Sequence, residues 1–184
     1  MSTTVSVDDL LAKSFKYLVL KRPIEKITIK EITNLAGVIR PTFYNHFQDK
    51  YELLEWIIKK ELVEPIRQKY GNARLEEALM ALFGSILKSA DFYSRARRLE
   101  GQNSFESIVF HCVKEELSLT LGDRKTELPK EELIRYYAHS ITYLILRFID
   151  DGMKKSPEEM VELYRFVKNH SFEDLVRETP ERGK

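Results

Sequence analysis

Two short helix-forming segments meet at a three-residue joint, Ala36-Gly37-Val38, and that joint constrains the chain more than any other feature. Thr28 opens the first segment, with Glu31 three residues on. At that spacing a threonine hydroxyl and a glutamate carboxylate each satisfy a backbone amide that the helix start leaves without a partner. Ile29 and Ile32 give this segment an apolar side, and Gly37 can take the left-handed backbone of a tight turn. The second segment covers about residues 40–47. Ile32, Leu35, Val38, Phe43 and Phe47 are spaced to pack both segments on a preceding helix, which leaves Arg40, Pro41, Thr42, Tyr44 and Asn45 mostly outward. Two short helices joined by such a turn form a helix-turn-helix. An outward face of Arg, Thr, Tyr and Asn carries the chemistry that reads base edges and phosphates.

The rest of the chain is helical by the same periodicity. Val7, Leu10, Leu11, Phe15, Leu18 and Val19 mark a first helix, with Asp8 and Asp9 near its positive end and Pro23 to stop it. Asp49 starts a long helix bearing Leu53, Leu54, Ile57, Ile58, Leu62 and Ile66. Apolar stripes then predict helices over about 75–90, 91–99, 104–121 and 129–155. A last helix opens with Ser156 as cap and Pro157 in its first turn and fades near Asn169, leaving 170–184 as a polar tail. No run alternates as a strand does. The expectation is an all-α fold of about nine helices. A three-helix DNA-binding head (1–50) would stand on a helical body (51–184) for ligand or partner binding and dimerisation.

Charge and composition narrow the function. The chain carries 30 basic and 29 acidic residues, a net charge of +1. Residues 1–50 hold eight of the basic and five of the acidic ones, so the head is +3 and the remainder −2. That excess is compatible with phosphate contact. One cysteine, Cys112, excludes an internal disulfide framework and fits a reducing compartment. His111 and Cys112 are adjacent, but neighbours on a helix point about 100° apart, so they make no nucleophile–base pair. No metal-ligand spacing is present among the four histidines and one cysteine. The chain is therefore not expected to be an enzyme, nor to need a metal or cofactor. The start, Met-Ser-Thr-Thr-Val, lacks the basic and apolar regions of a secretory signal, and Arg147 interrupts the longest apolar run, 141–149. A soluble cytoplasmic protein is expected.

Thr28, Ile32, Ala36-Gly37-Val38, Phe43-Tyr44, His46-Phe47 and Lys50 together resemble, without a gap, the DNA-binding head of the TetR/AcrR regulators. The resemblance implies a role for each position. Thr28 and Lys50 would hold phosphates. Arg40, Pro41 and Thr42 would read base edges. Tyr44 and His46 would touch the DNA backbone, and Asn45 could reach either. Taken singly, Thr28 is a helix cap, His46 a structural histidine and Lys50 a solvated charge, whereas Phe43 and Phe47 belong to the core. The family often has Ser where this chain has Ile39. Isoleucine cannot cap, so about 1 kcal/mol of local stabilisation is missing, and Pro41 compensates in part by fixing the backbone of a first turn.

The helix over 129–155 is apolar on two faces, one with Tyr137, Ile141, Leu144, Ile145 and Phe148, the other with Leu133, Tyr136, Tyr143 and Leu146. The last helix is similar, with Met160, Tyr164 and Val167. One face would pack inside the subunit. The other, assigned to Tyr137, Ile141, Leu144, Ile145, Phe148, Met160, Tyr164 and Val167, would meet a second copy in a four-helix interface. Twin recognition helices then favour a near-palindromic operator in double-stranded DNA. The resemblance further implies a ligand cavity between the middle helices, with Phe83, Phe92, Tyr93, Phe110, His111, Tyr136, Tyr143 and Arg147 as candidate lining. Residues 136–160 are also similar to a subgroup of short TetR regulators that includes the activator of dihydroxyacetone kinase operons, which acts with a separate sensor protein. The expected function is a homodimeric, sequence-specific transcriptional regulator, a repressor controlled by a small ligand. The alternative is a co-activator whose body binds a sensor protein. No membrane partner is expected.

Overall fold

Ser6 starts helix α1 (Val7–Val19): its hydroxyl accepts from the Asp9 amide, and the Asp9 carboxylate answers at the Ser6 backbone. The computed structural model describes residues 6–64, 67 and 75–177. Among them are ten helices and no strand. α2 (Ile29–Ala36) and α3 (Arg40–His46) follow a 3₁₀ turn at Ile24–Lys26. α4 (Lys50–Ile58) continues into a wider π turn at Lys59–Val63. The body adds α5 (Leu75–Lys88), α6 (Ala90–Ala96), α7 (Phe105–Leu121), α8 (Lys130–Asp150), α9 (Pro157–Asn169) and α10 (Phe172–Arg177).

In the head, α1 packs on α2, and α2 on α3. Leu11, Phe15, Ile32, Phe43 and Phe47 are buried between them. α4 carries the core onward, because Leu53, Leu54, Ile57 and Ile58 are buried where it meets both α1 and α7. In the body α8 lies along α7, and α9 along α5. α6 touches α1 on one side and α8 on the other, so it is a seam between head and body. One hydrophobic cluster runs through all of these helices up to Met160 and Val161.

A half-buried polar link crosses the same seam. Lys16 Nζ on α1 donates to Glu61 Oε1 in the π turn at 2.5 Å and to Ser89 Oγ at 3.0 Å. Tyr93 Oη on α6 donates to the other Glu61 oxygen at 3.0 Å. Burial raises the Tyr93 hydroxyl well above its ordinary value, and the Glu61 charge adds to this, so the phenol stays a donor.

Several element ends differ from the periodicity reading. α1 stops at Val19 rather than at Pro23, because the amides of Lys21 and Arg22 turn back to the Leu18 carbonyl. α8 ends at Asp150 rather than near 155, where Gly152 and Met153 both take positive φ, 73° and 55°. The region read as a polar tail contains α10. Leu35, expected to pack inward, is 49% exposed on α2. Ile66, the N-terminal segment 1–5 and the tail 178–184 lie outside the described residues. No described helix is long and apolar enough to cross a membrane.

Candidate nucleic-acid interface

The short helix α3 is held from behind and open in front. Phe43 and Phe47 are buried, with ring centroids 5.8 Å apart, and Phe47 meets Trp56 of α4 edge-on at 6.0 Å. Gly37 takes φ 71° at the end of α2, where its amide reaches back to the Asn34 carbonyl. That turn sets the angle at which α3 leaves α2. Ile39 precedes α3 and makes no side-chain cap, in line with the missing serine.

Arg40, Pro41, Tyr44 and Asn45 are exposed on α3, and Thr42 is half-buried. Arg40 Nη2 donates to Tyr44 Oη at 3.0 Å, and its guanidinium lies 5.5 Å from the Tyr44 ring. The two side chains therefore brace each other one turn apart. His46 points away from this pair. Its Nδ1 lies 2.7 Å from Asp8 Oδ1 on α1, which leaves Nε2 outward.

Thr28 and Lys50 converge on the turn before α2. Thr28 Oγ1 accepts from the Glu31 amide at 3.3 Å, and the Thr28 amide donates to Glu31 Oε2 at 2.9 Å. Arg22 pairs with the other Glu31 oxygen. The Thr28 backbone amide foremost, then the Thr28 hydroxyl and Arg22, hold the Glu31 carboxyl down at about 2. Lys50 Nζ donates to the carbonyls of Glu25 at 2.8 Å and Ile27 at 2.9 Å. Partial burial lowers the Lys50 ammonium. Lys50 is thus half-buried and structural as well as basic, and one of its three N–H donors remains.

Ile39, expected only as a weak cap, is also part of this face. Ile39 is 69% exposed beside Arg40. An apolar residue at a helix cap, where a polar one is preferred, was the available signal.

The body residues divide differently from the sequence expectation. Ile141, Leu144, Ile145, Phe148 and Met160 are buried within the chain's own core, so they cannot form an outer face. Phe148, for example, meets Phe83 edge-on at 5.0 Å. Tyr137, Tyr164 and Val167 of the same set are at least partly accessible. Of the other stripe, Tyr136 (73%) and Tyr143 (61%) are exposed, whereas Leu146 is buried and Leu133 half-buried. On α9 the exposed apolar residues are Leu163, Phe166 and Val167.

The eight candidate ligand residues are not gathered at one place. Phe83, Phe92 and Tyr93 are core, whereas His111, Tyr136, Tyr143 and Arg147 are exposed. Phe110 is half-buried and stacks on His139 at 4.4 Å. His111 Nδ1 sits 2.7 Å from the Ser107 carbonyl, and burial pushes the Cys112 thiol up to about 12.

Comparison with known proteins places these features in context. Bacterial regulatory proteins of the tetR family match residues 18–57, and a transcriptional regulator C-terminal region matches residues 73–168. The dhaKLM operon transcriptional activator DhaS of Lactococcus lactis subsp. lactis (strain IL1403) is 28% identical over 148 residues, covering 77% of this chain and 78% of that protein. A solved structure of the dihydroxyacetone kinase operon activator DhaS aligns with a TM-score of 0.61 at 23% identity, over 95% of this chain and 97% of its own. The fatty acid degradation regulator FadR from Bacillus halodurans aligns with a TM-score of 0.54 at 16% identity, over 90% and 96% of the two chains.

Proposed function

The chain belongs to the TetR family of bacterial regulatory proteins, and we propose that it acts as a homodimer that binds a near-palindromic operator through α3. The family carries a DNA-binding head, which supports a transcriptional regulator rather than an enzyme. The single observation that supports the specific reading is the open face of α3. Arg40, Pro41, Tyr44 and Asn45 stand on one exposed surface, backed by buried Phe43 and Phe47.

On this reading α3 enters the major groove. Arg40 offers its guanidinium fork to guanine, Asn45 can pair with adenine, and the half-buried Thr42 and Pro41 line the same edge. Tyr44, Thr28 and the outward Nε2 of His46 face the phosphates, and Lys50 offers its remaining donor. Arg22 offsets the Glu31 carboxylate at the start of α2, so a phosphate approaching Thr28 meets less repulsion. Residues 1–50 act as the head and 51–184 as the body. Two copies associate through Tyr136 and Tyr143 of α8 and Leu163, Phe166 and Val167 of α9. Exposed aromatic and apolar side chains of this kind mark association surfaces.

Repression under the control of a small ligand is the first regulatory reading. A second is favoured by the likeness to the L. lactis protein, named as an operon activator: activation with a partner protein that senses the small molecule. Deleting the gene and measuring transcription from the bound promoter separates the two. A rise supports repression and a fall supports activation. The contacts are tested by titrating labelled operator DNA against salt. Arg40→Ala is expected to weaken specific binding by about 1–3 kcal/mol and to relax one base position. Lys50→Ala is expected to lower the salt slope by about one, and also to lower the unfolding temperature because two carbonyls lose their donor. Unchanged specificity in Arg40→Ala would contradict the docking.

A further inference from the structure

A cleft of about 270 Å³ lies on the seam between head and body, and no residue of α3 lines it. Its floor is apolar, made by Val19 and Ile24 from the head and Leu99 after α6. Its rim carries four cations, Lys21 and Arg22 from the head and Arg95 and Arg98 from α6, against one carboxylate, Glu25.

The four cations are not equally satisfied. Arg22 pairs with Glu31, and Lys21 Nζ lies 5.3 Å from the Tyr17 ring centroid. Arg97, between the two cleft arginines in sequence, is held by Asp150 at 3.0 Å. The side chains of Arg95 and Arg98 have no hydrogen-bond or ion-pair partner among the described residues. They stand three residues apart, on one side of the chain at the end of α6. Cations gathered over an apolar floor repel one another, and low-dielectric walls focus their field outward. An anion in the cleft relieves that repulsion. Guanidinium forks fit phosphate and carboxylate oxygens two at a time. The volume is below that of most drug-sized pockets, so the occupant is small.

From this geometry we infer that the cleft is a binding site for a small polyanion with two phosphate or carboxylate groups. Arg95 and Arg98 hold one group, and Lys21 holds the other, beside the Arg22–Glu31 pair. Because its walls come from α1 and from α6, a bound anion ties head to body. By linkage, whatever it does to operator affinity the operator does in return to the affinity for the anion. That consequence rests on the DNA-binding reading, but the binding itself does not.

The test is calorimetric titration of the full-length protein, without DNA, with inorganic pyrophosphate at fixed ionic strength. Saturable binding of one pyrophosphate per protomer is expected. Arg95→Ala and Arg98→Ala should each weaken it by about tenfold, with the unfolding temperature of the free protein unchanged. Lys125→Ala, an exposed charge in the loop before α8, should leave it intact. No saturable heat, or equal loss in Lys125→Ala, overturns the proposal. So does a third result: no pyrophosphate binding, together with a lower salt slope for DNA in the arginine variants. The cleft would then be an extension of the DNA interface.

Discussion

Glu31 does several jobs with one carboxylate. It closes the cap on Thr28 and receives Arg22 from beyond the end of α1. Those partners all prefer the charged form, which is why its carboxyl falls from 4.5 to about 2. A group whose folded value is depressed stabilises the fold above its unfolded value and loses that contribution as pH falls through the folded one. Glu31→Gln is therefore expected to unfold more easily than the wild type at neutral pH. The gap should narrow as pH falls from about 4.5 to about 2. Thermal unfolding of both proteins across that range checks this, and a gap that does not change with pH would contradict it. The Thr28–Glu31 box was legible in the sequence because it is local, a matter of three residues' spacing. Arg22 was not, because its reach to Glu31 depends on how α1 turns into α2. The same holds for His46, whose partner Asp8 lies on another helix.

At the scale of an element, α3 carries the function with little intrinsic stability. It has seven residues and no side-chain cap at Ile39. Helices this short depend on tertiary packing, here on Phe43 and Phe47. Ile39→Ser supplies the missing acceptor and should stabilise the protein by about 1 kcal/mol. For a chain of this size that raises the unfolding temperature by about 2–4 °C. Ile39 is mostly exposed, so no core contact offsets the gain. No rise in unfolding temperature would show that the N-terminus of α3 is not limited by its cap. Starts of helices were readable where a side chain caps them, as at Thr28, Asp49 and Ser156. Ends were less so. Gly152 and Met153 close α8 through backbone geometry that the apolar period does not encode.

For the whole molecule, two apolar stripes on α8 competed to face the core. Both have helical spacing, so periodicity alone cannot rank them. Packing on α6 and α7 decides it, burying Ile141, Leu144, Ile145 and Phe148 and leaving Tyr136 and Tyr143 outside. The head was legible because its motif is contiguous. The tie of Lys16 and Tyr93 to Glu61 was not, since the partners are 45 and 32 residues apart. If the outward stripes join two copies, Tyr143→Glu combined with Phe166→Glu should sediment as a monomer with unchanged helical content. It should also lose affinity for a full operator far more than for a half-site. A variant that remains dimeric would place the interface elsewhere.

Paired α3 helices reading DNA are the core of the proposed function, and selection of bound sequences from a pool of random duplexes, at moderate salt, tests that most directly. Enrichment of a near-palindrome is predicted, with half-sites about 34–36 Å apart or a multiple of that, lost or relaxed in Arg40→Ala. A pool that stays random, or a single asymmetric site bound by one protomer, would contradict it.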